Sequence, residues 1–202
     1  MRKADLRKRC RSFLADLDRI TDRTNRLEKQ IGRRGDRRWA YEMLAVSAVT
    51  AWSDFAEDIF YGSINRDSSA LAKTVGLALP KHLALPLCEA LFTTRGYLDL
   101  GDVGNLKGTA KKYVGAAHPF KGIQSATSQA IDRLIAVRNF IVHGSRVARA
   151  TYLNKVLKPK SIRNLVAPGR FLMAKESGRT RLAAYLDALR SGAAAVLAAL
   201  SP

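Results

Sequence analysis

Arg138-Asn139-Phe140-Ile141-Val142-His143, followed directly by Gly144, is the stretch that decides the fold. Ahead of it stands Ile131-Asp132-Arg133-Leu134-Ile135-Ala136-Val137, and the combined run has helical periodicity. At roughly 100° per residue, Ser125, Asp132, Asn139 and His143 fall on one narrow polar stripe. Leu134, Ile135, Val137, Phe140, Ile141 and Val142 cover most of the remaining circumference, which predicts a helix over 124–143 buried nearly all round. Its polar stripe then faces a partner or a cleft, because a buried His beside an Asp and an Arg is costly unless the groups satisfy one another. A plainer reading stands beside this one. Gly144 suits the position after a helix C-terminus, and a His in the last turn interacts well with the carbonyl end.

Upstream, residues 2–31 read as one long helix. Leu6, Cys10, Phe13, Leu17, Ile20, Thr24, Leu27 and Ile31 alternate spacings of four and three, a heptad seam on an otherwise Arg, Lys and Asp surface. The seam fits a bundle helix, and it fits equally an arm that dimerises or contacts RNA. Gly32-Arg33-Arg34-Gly35 is expected to break the helix. Residues 38–61 form a second helix with an apolar face of Ala45, Val49, Trp52, Phe55, Ala56, Ile59 and Phe60. Its acids, Asp54, Glu57 and Asp58, face solvent for the most part, with Glu57 able to reach a site inside a bundle. Short helices are predicted over 69–78 and 81–93, split by Pro80, then a loop over 95–105 and a short basic helix over 106–115. His82 reads as a surface residue and His118 as a loop residue with no partner in sequence.

After Gly144, residues 145–176 interleave Arg146, Arg149, Lys155, Lys158, Lys160 and Arg163 with Tyr152 and Phe171. Cations for phosphates and rings for bases are what an RNA strand needs; a solvated loop over the bundle is the alternative. A closing helix over 178–200 follows, rich in alanine. No strand-like alternation and no internal repeat stands out. The fold expected is all-α, an antiparallel helical bundle with a long basic N-terminal helix, as a single domain over 1–202. Within it, 1–34 form the N-terminal helical arm, 38–144 the bundle, and 145–202 the basic segment and closing helix.

Composition narrows the function classes. The chain has 202 residues, 47% of them apolar, which argues against disorder. Its net charge is +18 and unevenly placed. Residues 1–38 carry fourteen basic and six acidic side chains, 39–104 four and eight, 105–202 seventeen and three. A cationic shell around an acidic middle points to a polyanion, nucleic acid ahead of an anionic membrane or a ribosome. No apolar run approaches the length that spans a bilayer, and the first twelve residues lack the apolar core of a signal peptide. Cys10 and Cys88 stand alone and far apart, which suits a reducing cytosol. No metal-ligand spacing of His, Cys and carboxylates appears, so neither a metal nor a cofactor is expected.

The pattern Arg138, Asn139, then His143 resembles the HEPN superfamily, all-α domains whose ribonuclease members carry Arg, four to six residues, then His. Asn139 matches the amide common directly after the Arg. Asp132 sits where the ribonuclease L-type members carry an acid six residues before it. The motif covers 132–144, and the helical pattern agrees more weakly over 39–144. Where some members carry a Tyr two residues after the His, as the acceptor for a partner nucleotidyltransferase, this chain has Ser145.

The resemblance implies a metal-independent endoribonuclease acting as a homodimer with a shared site. Cutting RNA through its own 2′-hydroxyl wants both a base and an acid. Two key helices facing across a two-fold axis supply two His143 and two Arg138. His143 then moves protons, Arg138 holds charge on the phosphorane, and Asn139 and Asp132 orient them, with Asp132 favouring the protonated imidazole. The setting implied is a cytoplasmic prokaryotic toxin or anti-phage defence protein, held by an antitoxin or served by a nucleotidyltransferase. Two rivals remain: a non-catalytic HEPN-type RNA- or nucleotide-binding or assembly module, and a structural protein dimerising through 2–31, which leaves the polar stripe unexplained.

Overall fold

The computed structural model describes residues 3–93, 102–157 and 165–200. Helix α1, Leu6–Gln30, starts where the Asp5 carboxylate accepts from the Lys8 backbone N–H at 2.9 Å, meeting one of the donors a helix start leaves open. Its heptad seam is buried from Leu6 through Thr24. Thr24, the one polar member of that buried set, returns its hydroxyl to the Ile20 carbonyl at 2.9 Å. The seam is filled from within the same chain. Phe13 stacks on Phe55 at 4.6 Å and meets Trp52 edge-on.

Helix α2, Arg34–Arg66, is longer than its apolar face predicts. Only Ile31–Arg33 separate it from α1, and Gly35 enters its first turn instead of ending the break. The Arg37 guanidinium closes this turn by donating to the Ile31 carbonyl at 2.7 and 3.2 Å. α1 and α2 run antiparallel: Tyr41 donates its hydroxyl to Glu28 near the turn, and the Ala4 N–H reaches Asn65 at the far end.

Past α2 come α3, Ser69–Val75, and α4, Leu85–Thr93, shorter than expected around Pro80. α5, Val103–Tyr113, begins inside the stretch read as a loop; residues 95–101 of that loop lie outside the described residues. A 3₁₀ turn, Pro119–Gly122, leads into α6, Ser125–His143, whose bounds follow the sequence pattern closely. Gly144 ends α6 in the left-handed region, φ 56°, where a residue without Cβ is favoured.

α7, Arg146–Thr151, a π-helical segment, Tyr152–Leu157, and α8, Pro168–Met173, occupy the stretch that follows. A two-strand hairpin, β1 Lys175–Glu176 and β2 Arg179–Thr180, corrects the expectation of no strands. Ser177 and Gly178 both take positive φ, 51° and 80°, as a tight two-residue hairpin turn demands. α9, Arg181–Ala199, closes the chain with the Thr180 hydroxyl accepting from Ala183 N–H at 3.3 Å.

Four long helices, α1, α2, α6 and α9, build an all-α core. Gly192 of α9 fixes their mutual depth. A Cβ there would meet the side-chain tips of Ile131 of α6 and Trp52 of α2 at 3.1 Å, so all three helices pack closely at this level. α9 is long and apolar enough to cross a membrane by length and composition. Here its Leu182, Leu186, Leu189 and Val196 are buried in the bundle, and Arg190 bonds Asp18, Thr21 and the Leu17 carbonyl of α1.

Helix directions follow from these levels. Gly169 of α8 lies against the Arg38 carbonyl, where a Cβ would sit 2.5 Å away, and its N–H donates to Glu42 at 2.8 Å. Phe171 of α8 meets Tyr152 edge-on, and Tyr152 stacks on Phe140 of α6 at 5.1 Å. The start of α2 and the end of α6 therefore share one end of the bundle, and α2 and α6 run antiparallel.

Candidate functional site

α6 delivers the polar stripe to that end. Only Ile131, Leu134, Ala136 and Val137 of the helix are fully buried, which corrects the expectation of burial nearly all round. Beyond Phe140 the helix runs past its neighbours: Val142 is 49% exposed and His143 is exposed. Val147, in the first turn of α7, is 76% exposed, and Trp39, at the start of α2, 65%. His143 is thus flanked along the chain by two uncovered valines.

Arg138 and His143 do not share a face within one chain. Five residues separate them, about 7.5 Å along the axis and about 140° around it. Asn139 links the two sides: Arg138 Nη1 donates to its Oδ1 at 3.0 Å, and Asn139 stands one turn before His143. An Arg has only donors, so Asn139 presents its oxygen to Arg138 and keeps its amide N–H groups for another acceptor. The Nε of Arg138 is buried without an acceptor, as is that of Arg38 in the first turns of α2. Unpaired guanidinium donors of this kind favour an anion nearby. No hydrogen bond among the described residues reaches the His143 imidazole.

Asp132 is not beside these groups. It lies eleven residues before His143, about 16 Å along the helix, and its Oδ1 accepts from the Val103 N–H at 2.8 Å. It completes the start of α5, where the Asp102 side chain already takes the Asn105 N–H at 2.7 Å. Burial raises the Asp132 carboxyl above the usual range, the Val103 bond pulls it down, and Asp102 pushes it up. Within one chain this separation keeps Asp132 from orienting the imidazole, the role the resemblance implies for it.

The basic surface divides. Arg146, Arg149 and Lys155 are exposed, with no ion pair among the described residues, and the first two lie directly after His143 on α7. Lys158, Lys160 and Arg163 fall outside the described residues. The rings expected to stack on bases are core instead. Tyr152 is fully buried with its hydroxyl on the Val166 carbonyl at 2.8 Å, and Phe171 is buried beneath the Arg181 guanidinium at 4.5 Å.

Three other readings settle at a distance from this end. Glu57 is on the exposed part of α2 beside Asp54, Asp58 and Glu89, and burial followed by those three carboxylates raises its own carboxyl. His118 is buried, with Nδ1 unpaired, and burial together with Lys107, Lys121 and Lys111 lowers its basicity. Its burial had no signal in the sequence. Lys107 bonds the Ile123 carbonyl and the Ser128 hydroxyl and so serves the fold. Among the described residues, no three His, Cys, Asp or Glu side chains gather as a metal site. Cys10 and Cys88 are free and buried, which pushes both thiols up to about 11, away from nucleophilic use near neutral pH.

No family model matches the chain, and neither a curated protein nor a solved structure matches it.

Proposed function

We propose that this chain is a metal-independent endoribonuclease of the HEPN type, cutting RNA by attack of its 2′-oxygen to leave a 2′,3′-cyclic phosphate and a 5′-hydroxyl. The observation that carries this reading is the end of α6. Arg138, bonded to Asn139 and holding an acceptorless Nε, comes to the same open end as His143, next to the cations of α7.

One imidazole cannot be both base and acid in a single step. A second copy completes the pair. The uncovered Val142 and Val147 on either side of His143 are suited to be the apolar part of a two-fold contact with Asn139 and His143 near its axis. In that arrangement one His143 takes the 2′-proton and the other gives a proton to the leaving 5′-oxygen. Arg138 holds the charge that grows on the phosphorane, and Arg146, Arg149 and Lys155 draw the phosphate backbone in. A cytoplasmic toxin or anti-phage role under an antitoxin is the setting that fits such an enzyme. Ser145 caps α7 through its hydroxyl, accepting from Ala148 N–H at 3.2 Å, where the nucleotide-accepting Tyr of some relatives of this type would stand.

A second reading, a non-catalytic RNA-binding module, is favoured by one fact: within one chain His143 has no acid–base partner, because Asp132 is bound to Val103. Incubation of purified protein with total RNA in EDTA, with mapping of the new 3′ ends, separates the two. Cyclic phosphate termini support the nuclease. Binding without cleavage, or a monomer by light scattering at micromolar concentration, supports the module.

A further inference from the structure

On the other side of the same end, α6, the π-helical segment, α8, the hairpin and α9 border an open cleft of about 260 Å³. Arg133, Val156, Phe171, Glu176, Arg181 and Tyr185 line it. Each arrives from a different element or turn, so the cleft is a product of tertiary packing. Arg133 of α6 makes no ion pair or hydrogen bond among the described residues. Arg181 lies over the Phe171 ring at 4.5 Å, which fixes its guanidinium at the cleft wall. The Tyr185 hydroxyl also bonds nothing among the described residues. Burial pushes that phenol up, the fields of Arg133 and Arg181 pull it back, and Glu176 pushes it up. The carboxylate present, Glu176, is 77% exposed and reaches Arg181 Nε only at 3.6 Å, a weak surface pair that a ligand displaces readily. Val156 comes from the π-helical segment, a rare form found frequently at functional sites.

We propose that this cleft is a phosphomonoester-binding site, in which Arg133, Arg181 and the Tyr185 hydroxyl hold a terminal phosphate while Phe171 and Val156 cover a small apolar or aromatic group attached to it. Two guanidinium groups and a hydroxyl lining one cleft, against the single exposed carboxylate of Glu176, are complementary to a dianion. The space falls just below the roughly 300–1,000 Å³ of pockets for drug-sized ligands, which suits a phosphate with one ring system. The source is either a free small phosphate, such as a mononucleotide, or the phosphorylated end of an RNA strand. The site is separate from the end of α6. Arg133 stands five residues before Arg138 and about 140° around the helix from it.

Calorimetric titration tests this with adenosine 5′-monophosphate, adenosine, and a 2′-O-methyl RNA decamer bearing either a 5′-phosphate or a 5′-hydroxyl. Such an oligonucleotide cannot be cut through its 2′-oxygen, so the result stands whether or not the chain is a nuclease. The phosphate is expected to tighten binding at least roughly tenfold in one of the two pairs. A gain with the mononucleotide alone assigns the small phosphate, and a gain with the decamer assigns the RNA end. Tyr185→Phe keeps the ring and its packing and should weaken the phosphate-bearing ligand by roughly fivefold to tenfold. Arg133→Gln should weaken it at least as much, with the unphosphorylated ligands unchanged. Equal affinities with and without the phosphate, or a Tyr185→Phe, Arg133→Gln double variant that folds and binds as wild type, would overturn the proposal.

Discussion

At the end of the bundle where α2 finishes, polar side chains bind the backbone. Asn65, buried, accepts from Ala4 N–H at 2.7 Å and donates to the Leu83 carbonyl at 2.6 Å. Ser68, buried beside it, donates to the Pro80 carbonyl at 2.6 Å. Nearer the middle of the bundle, Asp132 takes the Val103 N–H at the start of α5. At the end where α2 begins, Arg38 and Arg138 each retain an acceptorless Nε, His143 is open, and Trp39, Val142 and Val147 stand uncovered. Desolvating an unpaired donor costs about 1–3 kcal/mol, and exposed apolar side chains gain from being covered. The first end pairs Asn65 and Ser68 within one chain, and keeps His82 Nδ1 buried without a partner and Leu77 and Leu87 uncovered. The second gathers two unpaired guanidinium donors, an open imidazole and three uncovered apolar side chains.

Substitutions should separate the ends. His143→Ala is expected to lower RNA cleavage by roughly 10²–10⁴-fold, since it removes the proton carrier. Arg138→Ala should lower it by a comparable factor, and Arg138→Lys should recover little, because a point charge does not replace the planar fork. Neither should shift the denaturant midpoint much, as His143 is exposed and Arg138 bonds only the neighbouring Asn139 among the described residues. At the other end the order inverts. Asn65→Ala breaks two buried bonds and should cost about 2–4 kcal/mol of stability, read by urea unfolding, with cleavage per folded molecule unchanged. Equal stability losses at both ends would erase the contrast.

Asp132 sharpens it. Asp132→Ala should cost about 1 kcal/mol through the lost bond to α5, while Asp132→Asn, which can still accept from Val103, should leave cleavage close to wild type. A hundredfold loss in the Asn variant would return Asp132 to the chemistry, across a dimer. The basic surface predicts a further effect. Arg146→Glu with Arg149→Glu should weaken RNA binding and flatten its salt dependence, measured by anisotropy at several salt concentrations. The smallest effect concerns pH. His118 is held neutral by burial and by Lys107, Lys121 and Lys111, so its folded pKa lies below its unfolded one. The unfolded chain then binds the proton first, and the stability that neutral His118 contributes is lost as pH falls through the ordinary histidine range. His118→Phe should remove that slope from urea midpoints measured between pH 8 and 5.

Much of the fold was legible because helical spacing records burial. The alternation from Leu6 to Thr24 marks the buried face of α1, and the run from Ile131 to His143 gives α6 nearly to the residue. What was illegible depends on partners far along the chain. Asp132 looked like part of a site because its acceptor role for Val103, 29 residues away, leaves no local trace. Tyr152 and Phe171, set among cations, read as RNA-facing; each instead lies against another ring in the core. The hairpin at 175–180 escaped because two-residue strands are too short to show a period of two. Open ends of helices are equally hard to read, since Val142 continues the apolar pattern of α6 after its neighbours have stopped.

Whether the end of α6 cuts RNA is decided by single-turnover cleavage of a labelled RNA in EDTA, with wild-type and His143→Ala proteins compared at equal RNA occupancy. Metal-independent cleavage by the wild type with a bell-shaped pH profile is expected, because one His143 must be neutral while its dimer mate is protonated. Cleavage should be lower by at least about 10² in the variant, with RNA affinity retained. A His143→Ala protein as active as wild type, or activity abolished by EDTA and restored by magnesium, would overturn the nuclease reading.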